Sequence, residues 1–273
     1  MDHSIARVKG HKFLSGNDFP VEDILTVEES LKITINGKPF TVTMRTPGME
    51  DELVRGLLFT ENIYRDLTTL PLLTIRERSD AGYITWIDVQ IPNGKLGDGI
   101  NNSRSIMSVS SCGICGKSEF DKGPETAGIY CKETLDAKLI PELFDKMNAG
   151  QDTFRQSGGS HASAAFTMDG ELLSVAEDIG RHNAADKVIG SLILKGQLNR
   201  AKCLLVSGRV SYEIVSKCYV AGIPVLASVS APSSMAVEMS EKFGVTLLAF
   251  CRDNKFTVYS HGERIQPIVM STQ

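Results

Sequence analysis

No apolar run in the 273-residue chain approaches the roughly 20 residues that a bilayer crossing needs. Its first residues, MDHSIARVKGHKF, lack the apolar core of a secretory leader. A cytoplasmic protein without a membrane partner is therefore expected. Basic residues are not in excess: 29 lysines and arginines face 33 aspartates and glutamates, giving a net charge of −4. That balance excludes a surface dominated by lysine and arginine, so nucleic acid is not an expected partner, although a local basic pocket remains open. Internal repeats and low-complexity tracts are absent. Cysteine is sparse, with six in the chain. A disulfide scaffold is improbable at this length and in a reducing compartment. Cys203 in KCLLVSG and Cys251 in LLAFCR lie in apolar, strand-like runs, where the default is a buried, inert thiol.

What stands out against this background is Ser110 to Lys117, SSCGICGK. Cys112 and Cys115 are three residues apart, and Gly113 and Gly116 favour a loop over a helix or strand interior. Lys117 favours the thiolate, the form that attacks sulfur or binds metal. Three chemistries lack parts here. A zinc or iron–sulfur site usually needs a second cysteine pair or a histidine, and the next cysteine is Cys131. A thioredoxin-like pair opens a helix, which CGICGKSEF does poorly. A zinc deaminase needs an upstream His-x-Glu and a proline before the first cysteine. The His-x-Glu here, His261-Gly262-Glu263, lies downstream, and Ser111 precedes Cys112. No resident metal is expected. A thiolate that accepts sulfane sulfur as a persulfide and passes it on fits best. An inert loop, a metal-binding cofactor chaperone and a dithiol redox protein stay open beside it.

Periodicity divides the chain into a polar arm over 1–20, a small α+β unit over 21–108 and an α/β unit over 109–273. In the first unit LKITI and KPFTVTM flank Asn36-Gly37, the strongest short hairpin signal. A helix follows in MEDELVRGLLFT, whose acidic start suits the helix dipole. Strands are expected around LLTIRER and YITWIDVQI, a loop over PNGKLGDGINNSR, and a strand at SIMSVSS leading to Cys112. The second unit opens with a helix near Pro141 and a hairpin turning at Asp169-Gly170. Helices and strands then alternate, which predicts a sheet with helices on its faces.

Several polar turns punctuate that alternation. Ser207-Gly208-Arg209 and Ser230 to Ser234 each follow a strand and precede a helix, a natural setting for anions and nucleotides. Arg209 could pair with a phosphate; simple helix capping by the serines is the plainer reading. EDIGRHNAADK concentrates Glu177, Asp178, Arg181, His182, Asn183, Asp186 and Lys187. It could hold a phosphate, or be a solvated helix start laced with ion pairs. Gly158-Gly159-Ser160-His161 is a further polar turn, though a lone histidine is more often structural than catalytic. Phe250-Cys251-Arg252-Asp253-Asn254-Lys255 suits a nucleotide pocket, with a charged hairpin turn as the alternative.

Taken in order, TPGMEDELVRGLLFTENI, SSCGICGK, GGSHASAAF, EDIGRHNAADKVIG, SGRVSYEIVSK, AGIPVLASVSAPSSMAVE and FCRDNKFTVYS resemble the formate dehydrogenase accessory sulfurtransferases, the FdhD/NarQ family. The resemblance spans nearly the whole chain after the arm. It implies a cytidine-deaminase-like layered α/β domain without deaminase activity, a smaller α+β domain and a homodimer. It also implies sulfur transfer from a cysteine desulfurase, through a persulfide on Cys112 with Cys115 as second thiol, to the molybdenum or tungsten bis-(molybdopterin guanine dinucleotide) cofactor of formate dehydrogenase. The guanine-dinucleotide stretch maps onto Phe250, Cys251, Arg252, Asp253, Asn254 and Lys255, where a guanine nucleotide could also sit. Ser207, Arg209 and His182 are the further expected contacts. CRDN is more polar than the glycine-rich form of this turn associated with the family.

Overall fold

The computed structural model describes residues 4–92, 94–102 and 128–266. Cys112, Cys115 and the SIMSVSS strand lie outside the described residues.

The N-terminal residues form a paired ribbon where an aperiodic arm is expected. Strands β1 (Ile5–Leu14) and β2 (Asn17–Thr26) run antiparallel for ten residues each. Ser15 and Gly16, at φ 50° and 85°, make the two-residue turn that matches strand twist. The ribbon's residues are largely exposed, so neither strand needs the apolar alternation by which a half-buried strand is recognised. Thr26 Oγ1 reaches Ser157 Oγ at 2.6 Å, one of the ties to the body of the protein.

A four-stranded sheet follows, in the order β4-β3-β6-β5. It contains β3 (Glu29–Ile35), β4 (Lys38–Arg45), β5 (Leu72–Arg78) and β6 (Ile84–Gln90). Asn36 and Gly37, at φ 50° and 74°, close the β3–β4 hairpin as expected. Helix α1 (Glu50–Thr60) buries Leu53, Val54 and Leu58 in one cluster with Leu31, Ile33, Ile87 and Val89 of this sheet. Within the expected loop, Gly99–Asn102 forms a short helix, α2.

The second half opens with β7 (Leu135–Asp136), paired in parallel with β14 (Ile265–Gln266). Helix α3 (Leu139–Ala149) starts two residues before Pro141, and α4 (Asp152–Ser157) follows it. Pro141 is still within the first turn, where a helix lacks N–H acceptors and tolerates proline.

The main sheet has six strands in the order β13-β12-β11-β10-β8-β9. They are β8 (His161–Phe166), β9 (Leu172–Asp178), β10 (Cys203–Val206), β11 (Val225–Ser228), β12 (Thr246–Arg252) and β13 (Lys255–Ser260). β10, β11 and β12 are mutually parallel, and β8 and β13 run opposite to their neighbours. β9 is antiparallel to β8 and so shares the direction of β10. Alternate residues face opposite layers. Leu204, Val206, Leu226 and Leu247 join the core of α5 (Arg181–Leu194), α6 (Tyr212–Val220) and α7 (Ser234–Phe243). Cys203, Leu205, Val225, Ala227 and Leu248 join the core under α3. The architecture is thus mixed α/β, with helices on both faces of this sheet. Among the described residues no helix is long and apolar enough to cross a membrane.

Helices α1 and α5 cross closely at paired glycines. A Cβ on Gly190 would lie 1.8 Å from the Glu52 carbonyl oxygen, and one on Gly56 would lie 1.9 Å from that of Asp186. Two buried ion pairs flank the crossing. Lys187 Nζ lies 2.8 Å from Asp178 Oδ2 and donates to the Thr46 carbonyl. Lys217 Nζ reaches both Asp186 oxygens at 2.9 Å, and donates to Thr60 Oγ1 at the same distance. Asp186 also accepts from Thr60 Oγ1, and Lys217 also donates to Glu61 Oε1 at 3.3 Å, so the buried carboxylate and ammonium do not stand as a bare pair.

Candidate functional site

The strand directions decide where the polar turns meet. β9, β10, β11 and β12 all end at one edge of the main sheet, and β8 begins there. That edge therefore gathers Gly180 to His182, Ser207 to Arg209, Ser230 to Ser233, the Arg252–Lys255 turn and His161. Ligands of open α/β sheets bind at such carboxyl ends.

Short polar contacts fix the turns. Ser207 Oγ accepts from the Ala162 N–H at 2.8 Å, and the Ser207 N–H donates to the Ala162 carbonyl at 2.9 Å. Buried Ser228 donates to the Gly208 carbonyl at 2.7 Å and accepts from the Ser230 N–H at 3.0 Å. The Phe250 N–H donates to the Ser230 carbonyl. Thus the start of β8 at Ala162, the Ser207 turn, the Ser230 turn and the end of β12 at Phe250 are joined in one chain of hydrogen bonds.

At its centre Gly208 lies against two side chains from other elements. A Cβ there would stand 3.2 Å from His161 Nδ1 and 3.5 Å from Arg181 Cβ. Burial first, and the nearby Arg181 next, hold the His161 pKa below the usual histidine range; Arg209 adds to the depression and Asp178 opposes it. His182 is deeper, with its side chain 16% exposed and Nε2 3.3 Å from Ser211 Oγ and 4.0 Å from Glu213 Oε2. Burial, with Lys217 and Arg181 assisting, pushes its pKa down to about 3. It is a neutral imidazole at physiological pH, able to donate or accept one hydrogen bond but not to act as a cation.

The other residues of EDIGRHNAADK divide between interior and edge. Asp178, Asp186 and Lys187 are buried in the pairs described above, so they support the turn from within rather than facing solvent. Glu177 accepts from the first N–H groups of α4 at Thr153 and Phe154 and from Ser160. Arg181 occupies the first position of α5, with Nε buried and without a partner.

In the hairpin stretch, Asp253 and Asn254 (φ 55° and 54°) form the two-residue turn between Arg252 and Lys255. Arg252, Asp253, Asn254 and Lys255 are exposed. Phe250 holds φ 55° at a β-bulge, a strained setting for an aromatic that costs about 1–2 kcal/mol. The residue is 36% exposed at the sheet edge. Cys251 points the other way, into the α3 core, where burial pushes its thiol up to about 12. Its side chain is therefore part of the core, and only its backbone borders the edge.

Glu213 and Ser211 were not singled out by sequence. Both sit at the start of α6, where an acid or a serine reads as ordinary capping, and only the strand order brings them beside His182. Among the described residues no group of three or more histidines, cysteines and acids could hold a metal ion.

The family model described as the FdhD/NarQ family matches residues 26–266. A protein of Sulfolobus acidocaldarius named sulfur carrier protein FdhD is 42% identical over 265 residues, covering 96% of this chain and 98% of that one. Its namesake in Streptomyces coelicolor is 40% identical over 251 residues, covering 89% of each chain. The fold is shared with a solved structure from Desulfotalea psychrophila, provisionally described as a formate dehydrogenase accessory protein. It has a TM-score of 0.73 and 22% identity, and the match covers 96% of this chain and 99% of that chain. With the match of the family model running from the end of the N-terminal ribbon to β14, the chain belongs to the FdhD/NarQ family.

Proposed function

We propose that the protein is a sulfur carrier that moves sulfur from a cysteine desulfurase to the molybdenum or tungsten bis-(molybdopterin guanine dinucleotide) cofactor before its insertion into formate dehydrogenase. One observation carries the reading. Polar turns with unpaired cations converge on one sheet edge, in a chain similar along its length to proteins named sulfur carriers. The edge suits a nucleotide-bearing cargo. The Arg252–Lys255 hairpin and the Phe250 ring are the surfaces for guanine, Ser207 and Arg209 flank them, and neutral His182 supports the turn from behind. Cys112 and Cys115 supply the sulfur chemistry. The reading includes a cytoplasmic homodimer and the deaminase-like layering implied by the family resemblance.

Chemically, the Cys112 thiolate attacks the outer sulfur of the donor persulfide. The donor's S–S bond breaks, its cysteine leaves as a thiolate, and Cys112 keeps the sulfur as a persulfide. Attack of the Cys115 thiolate on Cys112 Sγ then expels that sulfur as hydrosulfide and leaves a Cys112–Cys115 disulfide. The hydrosulfide would replace a terminal oxygen ligand of the cargo's metal, its proton leaving with that oxygen as hydroxide, and a thiol reductant resets the disulfide with two electrons.

Intact mass after incubation with a cysteine desulfurase and cysteine tests this. The expected result is a gain of about one sulfur atom, removable by reductant and absent in Cys112→Ala. Loss of two hydrogens in the parent, with no added sulfur on Cys112 in a Cys115→Ala variant that cannot resolve a persulfide, would replace the reading with a dithiol redox protein. A bound metal without added sulfur would replace it with a metal-binding chaperone.

A further inference from the structure

We infer that the cleft between α1, the loop before β5 and the end of α5 receives the carboxyl-terminal residue of a partner polypeptide, with Arg55 holding its carboxylate and leucines its apolar side chain. Arg55 and Phe59 of α1, Leu67 and Leu70 of the loop, and Ile193 of α5 line it. Ile193 is near the end of α5, and at 1.5 Å per residue about 18 Å separate it from the helix start at Arg181. The cleft is therefore distinct from the carboxyl edge of the main sheet, and its role does not depend on the sulfur-carrier reading.

Arg55 supplies the unmet group. It is 9% exposed, and its Nη2 donates to the Pro71 carbonyl at 2.9 Å. Nε and Nη1 are buried and have no partner among the described residues. A buried donor without an acceptor is destabilising, and a guanidinium, which keeps its charge, is met best by a carboxylate or phosphate. The nearby acids do not serve. Asp51, one turn earlier on α1, is exposed and acts on Arg55 through space, with no ion pair between them among the described residues. Asp66 borders the cleft, but its carboxylate accepts from Lys95 Nζ at 2.5 Å, from the Thr68 N–H and hydroxyl, and from the Thr69 N–H.

The walls select the anion. Phe59 is buried, Leu67 and Leu70 are 50% and 42% exposed, and Leu72, just past Pro71, is 67% exposed. Apolar surface around a desolvated cation disfavours a strongly hydrated phosphate and suits a carboxylate with an apolar group beside it. The last residue of a chain carries both on one Cα; an internal aspartate or glutamate does not. The space is about 240 Å³ out to its open mouth, below the roughly 300–1,000 Å³ of small-molecule pockets, and so suits one residue. Preceding residues of the same polypeptide would cover the exposed leucines, which a free acid would leave bare. Capture of a chain-end carboxylate by fixed donors is a recurring mode of peptide recognition.

The loop that presents these leucines is braced from within. Tyr64 Oη donates to the Thr69 carbonyl at 2.5 Å, Asp66 gathers the Thr68 and Thr69 N–H groups, and Arg55 holds the Pro71 carbonyl. A loop already ordered pays little further entropy when a ligand settles on it.

Fluorescence polarisation of the full chain with labelled peptides of one sequence, ending in leucine, phenylalanine or serine, tests the site. The leucine and phenylalanine peptides should bind more tightly than the serine peptide. Amidation of the leucine peptide should weaken it about 10- to 100-fold. The double variant Leu67→Ser/Leu70→Ser, changed at exposed positions, should lose about tenfold or more. Arg55→Met should abolish the preference for the free carboxylate if its circular dichroism and melting match the parent. Absence of binding by every peptide, equal binding of the amide, or equal binding by Leu67→Ser/Leu70→Ser would each overturn the assignment. Free isocaproate binding as tightly as the leucine peptide would overturn the polypeptide occupant in favour of a small apolar acid.

Discussion

His182 should make the protein lose stability between neutral pH and pH 5 by a calculable amount. Its imidazole is buried beside Ser211 and Glu213, and its folded pKa lies at about 3. In the unfolded chain it returns to roughly 6.5. Above pH 7 the ring is neutral in both states and contributes no pH dependence. As pH falls below 6.5 the unfolded chain takes up a proton that the folded chain refuses, so unfolding gains. At pH 5 the loss is about 2 kcal/mol, and it continues to grow until the folded-state pKa is reached. His182→Gln removes the titration while keeping an amide able to reach Ser211. Urea unfolding of both proteins at pH 7.5 and pH 5.0 isolates the residue, because the other titrating side chains are present in each. The parent should lose about 2 kcal/mol more than the variant between these two conditions. Parallel profiles would show that the imidazole is solvated or protonated in the folded state, and the packing argument for its neutrality would fall.

Two further substitutions probe the framework behind the site. Gly190→Ala should gain about 1 kcal/mol from helix propensity yet lose more from a Cβ 1.8 Å from the Glu52 carbonyl, for a net loss near 2 kcal/mol; a raised melting temperature in calorimetry would refute the close crossing. Lys217→Met should cost about 3–5 kcal/mol in chemical denaturation by stranding the Asp186 carboxylate, with the Lys217→Met/Asp186→Leu double variant recovering a large part of it. If the double variant is no better than the single one, the pair is not the source of the loss.

The elements that bury one face were legible because burial writes a period into the sequence. The β3–β4 and β8–β9 hairpins, α1, and the alternating helices and strands from α5 to β13 all carry it. The N-terminal ribbon does not, since its strands are held by cross-strand pairing with little burial. Its Ser15-Gly16 turn uses the same left-handed geometry as Asn36-Gly37, but without alternating neighbours a Ser-Gly pair is a weak signal. The start of α3 shifted by two residues for a related reason: Pro141 marks a first turn, not a unique position within it.

Site residues were legible by chemical type and only partly by partner. EDIGRHNAADK reads as a polar helix start, yet Asp186 and Lys187 turn inward to Lys217 and Asp178, because two buried pairs lie beside the α1–α5 crossing. Cys251 and Phe250 are neighbours in the chain but face opposite ways, one into the α3 core and one onto the edge, after a bulge that no residue type announced. The meeting of His161, Arg181 and Gly208 depends on β8 running antiparallel to β10, a choice made by the sheet as a whole. One clue was nevertheless present in the linear order. Gly-Arg-His at the beginning of a fourteen-residue helix sets cations against the dipole and forgoes a cap. A helix start chosen for stability would carry serine or aspartate followed by acid, as the acidic first turn of α1 illustrates within the same chain. The two helix starts thus differ in charge, acidic at α1 and basic at α5, while neither N-cap residue, Met49 or Gly180, supplies a side-chain cap.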